Sequence, residues 1–301
     1  MTARPFRHSP LAPIAATIAG IALFSGMDAA IKHASLEVGV YTALLLRNVI
    51  GFAMILPVWI AGPHILPTRR VLKLHAVRSG VNCGMALLFF VGIVRLPIAE
   101  GIALSFVAPL VALFLAAVFL GEAIRRAAIL ASLMGLAGVG VIVADRIGTG
   151  QADRQIWIGL AAILGSALLY AINLVLQRKL ALLAGAIEVA TFQNLIVALI
   201  LVLFAPWFAS APSVPVLGAT AAGALMGTTA LGLLSWGYAR AEAQVLVPIE
   251  YTAFLWAALL GWVFFAEPVE PATLAGAALI VLGCWIGTRD PARERTEQTA
   301  V

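Results

Sequence analysis

Arg95 to Glu122, RLPIAEGIALSFVAPLVALFLAAVFLGE, lies without a gap over Arg240 to Glu267, RAEAQVLVPIEYTAFLWAALLGWVFFAE, at an offset of 145 residues. Arg95 falls on Arg240, Leu110 on Leu255 and Glu122 on Glu267, and the same register carries Ala131 onto Gly276 and Gly138 onto Gly283. It also relates two more distant apolar runs, where Ser25, Asp28 and Lys32 fall on Tyr170, Asn173 and Gln177. Both triplets have i, i+3, i+7 spacing, so each sets a polar stripe on one helix face. One register shared by separate segments marks an internal repeat.

The surroundings of that repeat are apolar throughout. Hydrophobic residues make up 62% of the 301, charged residues 11%, and the mean hydropathy is +1.04. No water-soluble fold hides that much apolar surface, so the solvent is lipid. Apolar runs of about 20 residues, enough to cross the bilayer, lie near 11 to 34, 39 to 61, 75 to 95, 97 to 120, 127 to 144, 156 to 177, 188 to 206, 216 to 238, 245 to 266 and 271 to 288. The first run continues past Asp28 toward Ala34, and others follow it, so it reads as an uncleaved helix rather than a secretory signal peptide. Five spans per half is an odd number, which inserts the second half upside down. The expected fold is an all-α membrane protein of ten transmembrane helices, two inverted five-helix repeats (11–145 and 156–288) around a central cavity, with tails 1–10 and 289–301.

Charge orients the chain. With a cytoplasmic N-terminus, fourteen of the nineteen Lys and Arg fall on the cytoplasmic side and four outside, with Arg47 inside a span. The positive-inside rule therefore places both termini in the cytoplasm. The net charge of +5 is scattered between apolar runs, not gathered into a patch, which argues against nucleic acid as a partner. Cys83 and Cys284 sit in apolar segments as small hydrophobes. The four histidines, at span edges or in the N-terminal tail, form no metal-ligand cluster in sequence, and no P-loop, nucleophile elbow or dinucleotide fingerprint occurs. Catalytic residues, metal and cofactor are all expected to be absent, and the protein is expected not to be an enzyme.

Polar groups at membrane depth are the candidates for function, because each costs about 2.5 to 3.5 kcal/mol unless it meets a partner or a wet cavity. Asp28 has two readings, a local pair with Lys32 or a role in substrate or proton handling. Glu250 has two as well, a proton carrier or a carboxylate at the cytoplasmic rim. Arg78 reads as an interfacial anchor, with Asn82 one turn deeper and facing solute or not. Gln193 and Asn194 read as interhelical hydrogen-bonding groups. Trp236 belongs either to the interfacial aromatic belt or, with Tyr170, Tyr251 and Trp256, to a cavity that stacks on apolar or aromatic solutes. Asn82, Tyr170, Asn173, Trp236, Tyr251 and Trp256 are thus the expected substrate-binding set, and Asp28 and Glu250 the candidates for proton coupling. The GxxxG pairs Gly80/Gly84, Gly223/Gly227 and Gly283/Gly287 read as sites of close helix approach.

The Gly121-Glu122 and Ala266-Glu267 ends, Lys32, Arg47, Ala108-Pro109-Leu110, and Glu250-Tyr251-Thr252-Ala253 with Leu255-Trp256 resemble the drug/metabolite transporter superfamily, and within it the EamA family of bacterial ten-helix proteins. The resemblance covers roughly residues 11 to 288. Phe254 departs from it, standing where a proline would match Pro109, which implies a straighter ninth helix. The resemblance implies a multi-pass protein of the bacterial inner membrane. It also implies a secondary transporter whose partner is a small solute, most often an exported amino acid or related compound, moved by alternating access. Import of similar solutes, and a non-transporting intramembrane scaffold or enzyme, are the alternatives.

Overall fold

Once water is gone, backbone N–H and C=O groups must bond within their own segment, so long apolar runs become helices. The computed structural model describes residues 11–62, 66–108, 110–111, 126–148, 153–181, 183–240, 246 and 249–288. Among the described residues there are nine helices and no strand: α1 (Leu11–Ala61), α2 (Arg69–Ile93), α3 (Ile98–Ser105), α4 (Arg126–Gly148), α5 (Arg154–Ala181), α6 (Ala186–Phe208), α7 (Val214–Tyr238), α8 (Ala253–Phe265) and α9 (Pro271–Thr288). Five of them, α1, α2, α5, α6 and α7, are long and apolar enough to cross a bilayer. Pro109, Glu122 and the later part of the fourth apolar run lie outside the described residues.

Although α1 is 51 residues long, it is not one rod. Arg47 Nη2 lies 3.1 Å from Met27 Sδ, whereas 20 residues of straight helix span about 30 Å. The chain reverses at Gly39, whose φ of 81° and ψ of 153° fall in a region essentially closed to other residues. Sequence spacing separates these two runs at the same place.

The helix boundaries repeat the sequence register. α2 and α7 are 25 residues each, and both their ends differ by 145. Their N-caps are also equivalent: the Thr68 hydroxyl accepts from Val71 N at 3.5 Å and the Ser213 hydroxyl from Val216 N at 3.4 Å.

Each half also breaks a span at one equivalent point. After α3 the backbone turns at Phe106 and Val107, and before α8 it turns at Tyr251 and Thr252. Both turns close with i→i+3 bonds: Val107 N donates to Leu104 O at 3.2 Å, and Thr252 N donates to Ile249 O at 2.9 Å. The straighter ninth helix expected from Phe254 is therefore corrected. The Thr252 hydroxyl donates to Ile249 O at 2.7 Å, so a side chain bends the helix where no proline does.

Glycines set how closely the helices approach. A Cβ on Gly227 would stand 2.7 Å from Met27 Sδ and one on Gly223 2.9 Å from Ile31 Cδ1, so this pair seats α7 on the first part of α1. Gly138 and Gly276 do the same for α4 and α9, each Cβ meeting the other's carbonyl oxygen at 2.5 and 2.7 Å. Gly80 faces open space within 4 Å, so of the first GxxxG pair only Gly84, 3.3 Å from Leu169, marks a close approach.

Candidate functional site

Glu250 sits just before the break in the span that continues as α8. Its carboxylate accepts a hydrogen bond from the Tyr238 hydroxyl at the end of α7. Tyr170 of α5 lies within electrostatic range of both Glu250 and Tyr238, and so does Tyr251. One phenol is thus bonded to the carboxylate, and two more lie within electrostatic range of it. Glu250 is nevertheless exposed, and no cation pairs with it among the described residues.

The break itself is held from the other half. Tyr251 meets the Phe106 ring edge-on, with centroids 5.2 Å apart and planes at 90°. Tyr251 also packs against the cluster that holds Cys284, whose thiol donates to Phe106 O at 3.2 Å. Phe106 and Tyr251 are equivalent positions of the repeat, so the two interrupted spans touch at the same point of each.

From Tyr170 the polar face of α5 runs through Asn173 to Gln177. Asn173 is 3% exposed and its Oδ1 has no hydrogen-bond partner. Gln177 Oε1 accepts from Arg78 Nη2 at 3.4 Å, and Gln193 Oε1 of α6 accepts from Arg78 Nη1 at 2.7 Å. The interfacial anchor expected at Arg78 is corrected: at 5% exposure, with its Nε unpartnered, it is a buried charge. Helix neighbours carry it inward, since α2 begins at Arg69 and Arg78 lies about 14 Å along the helix. Gln193 reaches across helices as expected, whereas the Asn194 amide bonds Ala190 O of its own helix at 3.0 Å.

Lys32 does not pair with Asp28. Its ammonium donates to Leu96 O at 3.0 Å, pairs with Glu267, and stands 5.0 Å over the Phe265 ring. Glu267 Oε2 also accepts from Ile98 N at 2.9 Å. The left-handed residue Ala266, with φ 53°, ends α8 and turns Glu267 toward that ammonium. Asp28 is coupled electrostatically to Arg47, which the reversal at Gly39 brings alongside. Buried Glu100 is bridged by Arg146 of α4, with Nε 3.2 Å from Oε2, and His75 Nε2 lies 3.2 Å from Glu188.

Of the residues singled out in the sequence, Tyr170, Tyr251 and Glu250 come together and Asn173 shares the face of Tyr170. Trp236 lies apart under Arg240, whose guanidinium is 4.4 Å from its ring centroid. Asn82 and Trp256 are half-buried, and neither makes a side-chain hydrogen bond among the described residues. Tyr238, Gln177 and Arg78 do not belong to the set expected from sequence. The stripe that ends at Gln177 is the one signal in the sequence that points toward them.

The model of the EamA-like transporter family matches residues 11–144 and 157–288, nearly the whole chain. The chain belongs to that family. This EamA-like protein is 23% identical over 263 residues to the pseudopaline exporter of Pseudomonas aeruginosa, covering 87% of this chain and 90% of that one. It is 30% identical over 217 residues to a probable terminal-alkyne amino-acid exporter of Streptantibioticus cattleyicolor, covering 68% and 69% respectively. A solved crystal structure shares the fold, with a TM-score of 0.61 at 23% identity over 92% of this chain and 96% of that one. The EamA-like protein is accordingly a multi-pass membrane protein of a transporter family.

Proposed function

We propose that the protein exports a small metabolite, an amino acid or close relative, across the bacterial inner membrane by alternating access between two inverted five-helix repeats, 11–145 and 156–288, with both termini cytoplasmic. The observation that carries this reading is the contact of Phe106 with Tyr251, ring centroids 5.2 Å apart. Residues related by a repeat touch only near the axis that relates them, and here both interrupt their spans. Interrupted spans at the meeting of inverted repeats are where carriers of this architecture bind solute. The two exporters among the relatives support the outward direction, and the probable amino-acid exporter supports the amino-acid-like cargo.

On this reading the binding chamber is lined by Tyr170, Asn173 and Tyr251, with Asn82, Trp236 and Trp256 toward its margins. Glu250 carries the coupling proton in preference to Asp28, because Asp28 already faces the Arg47 cation. Efflux of tritiated amino acids from proteoliposomes with an imposed pH gradient tests this. The wild type should respond to the gradient, while Glu250→Gln, inserted normally, should lose the response. Equal gradient dependence in both would remove Glu250 from coupling.

A further inference from the structure

We propose that Arg78 and Glu250 are the two poles of a zwitterion site: Arg78 holds the solute carboxylate, Glu250 holds its ammonium, and the α5 face carrying Tyr170, Asn173 and Gln177 spans the gap. This assignment rests on the export reading above and names the groups that would recognise the cargo.

The charge inventory of the described residues leads there. Lys32 pairs with Glu267, Arg146 with Glu100, and His75 with Glu188, and Arg47 is the cation facing Asp28. Arg78 and Glu250, by contrast, meet neutral groups in their hydrogen bonds, two glutamines for the buried guanidinium and a tyrosine for the carboxylate. A buried guanidinium with no counter-charge and an unpartnered Nε is costly, and two glutamine carbonyls offset that cost only in part. The orphan carboxamide oxygen of Asn173, which lies between them on α5, is costly as well. Among the described residues, two groups with unpartnered atoms and a carboxylate without a paired cation, set beside one face of α5, describe a site for a polar occupant.

The spacing selects the occupant. Tyr170, within electrostatic range of Glu250, and Gln177, bonded to Arg78, are two turns apart on α5, or about 10.5 Å between backbone positions along its axis. In an α-amino acid the ammonium nitrogen and a carboxylate oxygen are about 3 Å apart by backbone geometry. A charge-assisted hydrogen bond of about 2.8 Å at each end extends the reach to roughly 9 Å. A compact zwitterion is thus comparable in length to the stretch of α5 from Tyr170 to Gln177, with its side chain left to the phenols of Tyr170, Tyr238 and Tyr251. A plain amine or a plain acid satisfies one pole and leaves the other charge uncompensated, which the site should reject.

Uptake of the twenty tritiated proteinogenic amino acids into proteoliposomes identifies a transported one. Its amide, which lacks the carboxylate, and its N-acetyl form, which lacks the ammonium, are then tested as competitors. In the wild type each should inhibit at least tenfold more weakly than the parent amino acid. Arg78→Gln should abolish the difference between parent and amide while keeping that between parent and N-acetyl form, and Glu250→Gln should do the reverse. Arg78→Lys, which keeps the charge, should retain a reduced preference for the parent. Equal inhibition by parent and amide in the wild type would overturn the assignment without needing any variant. So would an Arg78→Gln protein that discriminates as the wild type does. No uptake of any amino acid would defeat the amino-acid export reading itself, and this site with it.

Discussion

Lys32 shows what a single charge does at membrane depth. Its side chain is 3% exposed and its partner Glu267 is 235 residues away in the chain, whereas sequence spacing points to Asp28, four residues off, as the nearer candidate. Removing one partner leaves the other buried and uncompensated, at a cost of about 3 to 5 kcal/mol. Lys32→Met and Glu267→Gln should each lower the thermal midpoint of the detergent-solubilised protein, and the double variant should recover part of the loss. A double-mutant cycle with a coupling energy near zero would show the pair to be incidental. Gly39 isolates a different term. A Cβ there meets nothing within 4 Å, so Gly39→Ala adds no clash and reports backbone strain alone. The expected destabilisation is about 1 to 3 kcal/mol from its ε-region dihedrals, and an unchanged midpoint would mean that the reversal relaxes freely. Arg78 is illegible in the sequence for a physical reason. A lone arginine in the first third of a span looks identical whether it points to headgroups or inward, and only the positions of Gln177 and Gln193 on other helices decide between them.

At the scale of the element, the ends of helices are more legible than their interiors. The shared caps Thr68 and Ser213 and the equal lengths of α2 and α7 follow from local chemistry that the 145-residue register preserves. The bend at Tyr251 and Thr252 is not legible, because a threonine hydroxyl turning back onto Ile249 O leaves no mark as plain as a proline. The end of α8 carries its own strain. Ala266 adopts φ 53° and ψ 34°, a left-handed conformation that costs a non-glycine residue about 1 to 2 kcal/mol. Its repeat equivalent is Gly121, the residue that such a terminus ordinarily takes. Ala266→Gly should therefore relieve the strain while keeping Glu267 on Lys32. After the added freedom of glycine in the unfolded chain, the net gain is about 1 kcal/mol, or a rise of roughly 2 to 4 °C in the midpoint. A fall in the midpoint would mean that the Ala266 methyl packs more favourably than its backbone is strained.

Across the whole molecule, the proposed mechanism depends on the direction of the symmetry axis. Phe106 against Tyr251, and Val139 packed with Cys284 in one apolar cluster, are two pairs of repeat equivalents in mutual proximity, so the axis passes close to both. Were that axis perpendicular to the bilayer, equivalent points would lie on the same side, and exchanging the conformations of the halves could not move a chamber from one face to the other. Were it in the bilayer plane, equivalent points would lie on opposite sides, and the same exchange would reverse the opening. Leu66 and Ala211 separate these cases because they are equivalent, exposed, and just outside the capped starts of α2 and α7. Single cysteines at the two positions, in an otherwise cysteine-free background, should label oppositely with a membrane-impermeant maleimide in intact cells. Ala211→Cys should react from outside the inner membrane, and Leu66→Cys only after the membrane is opened, in line with the basic residues Arg69, Arg70 and Lys73 that follow it. Labelling of both from the same side would place the axis along the membrane normal, and the repeat would then record duplication of the chain without providing the means of transport.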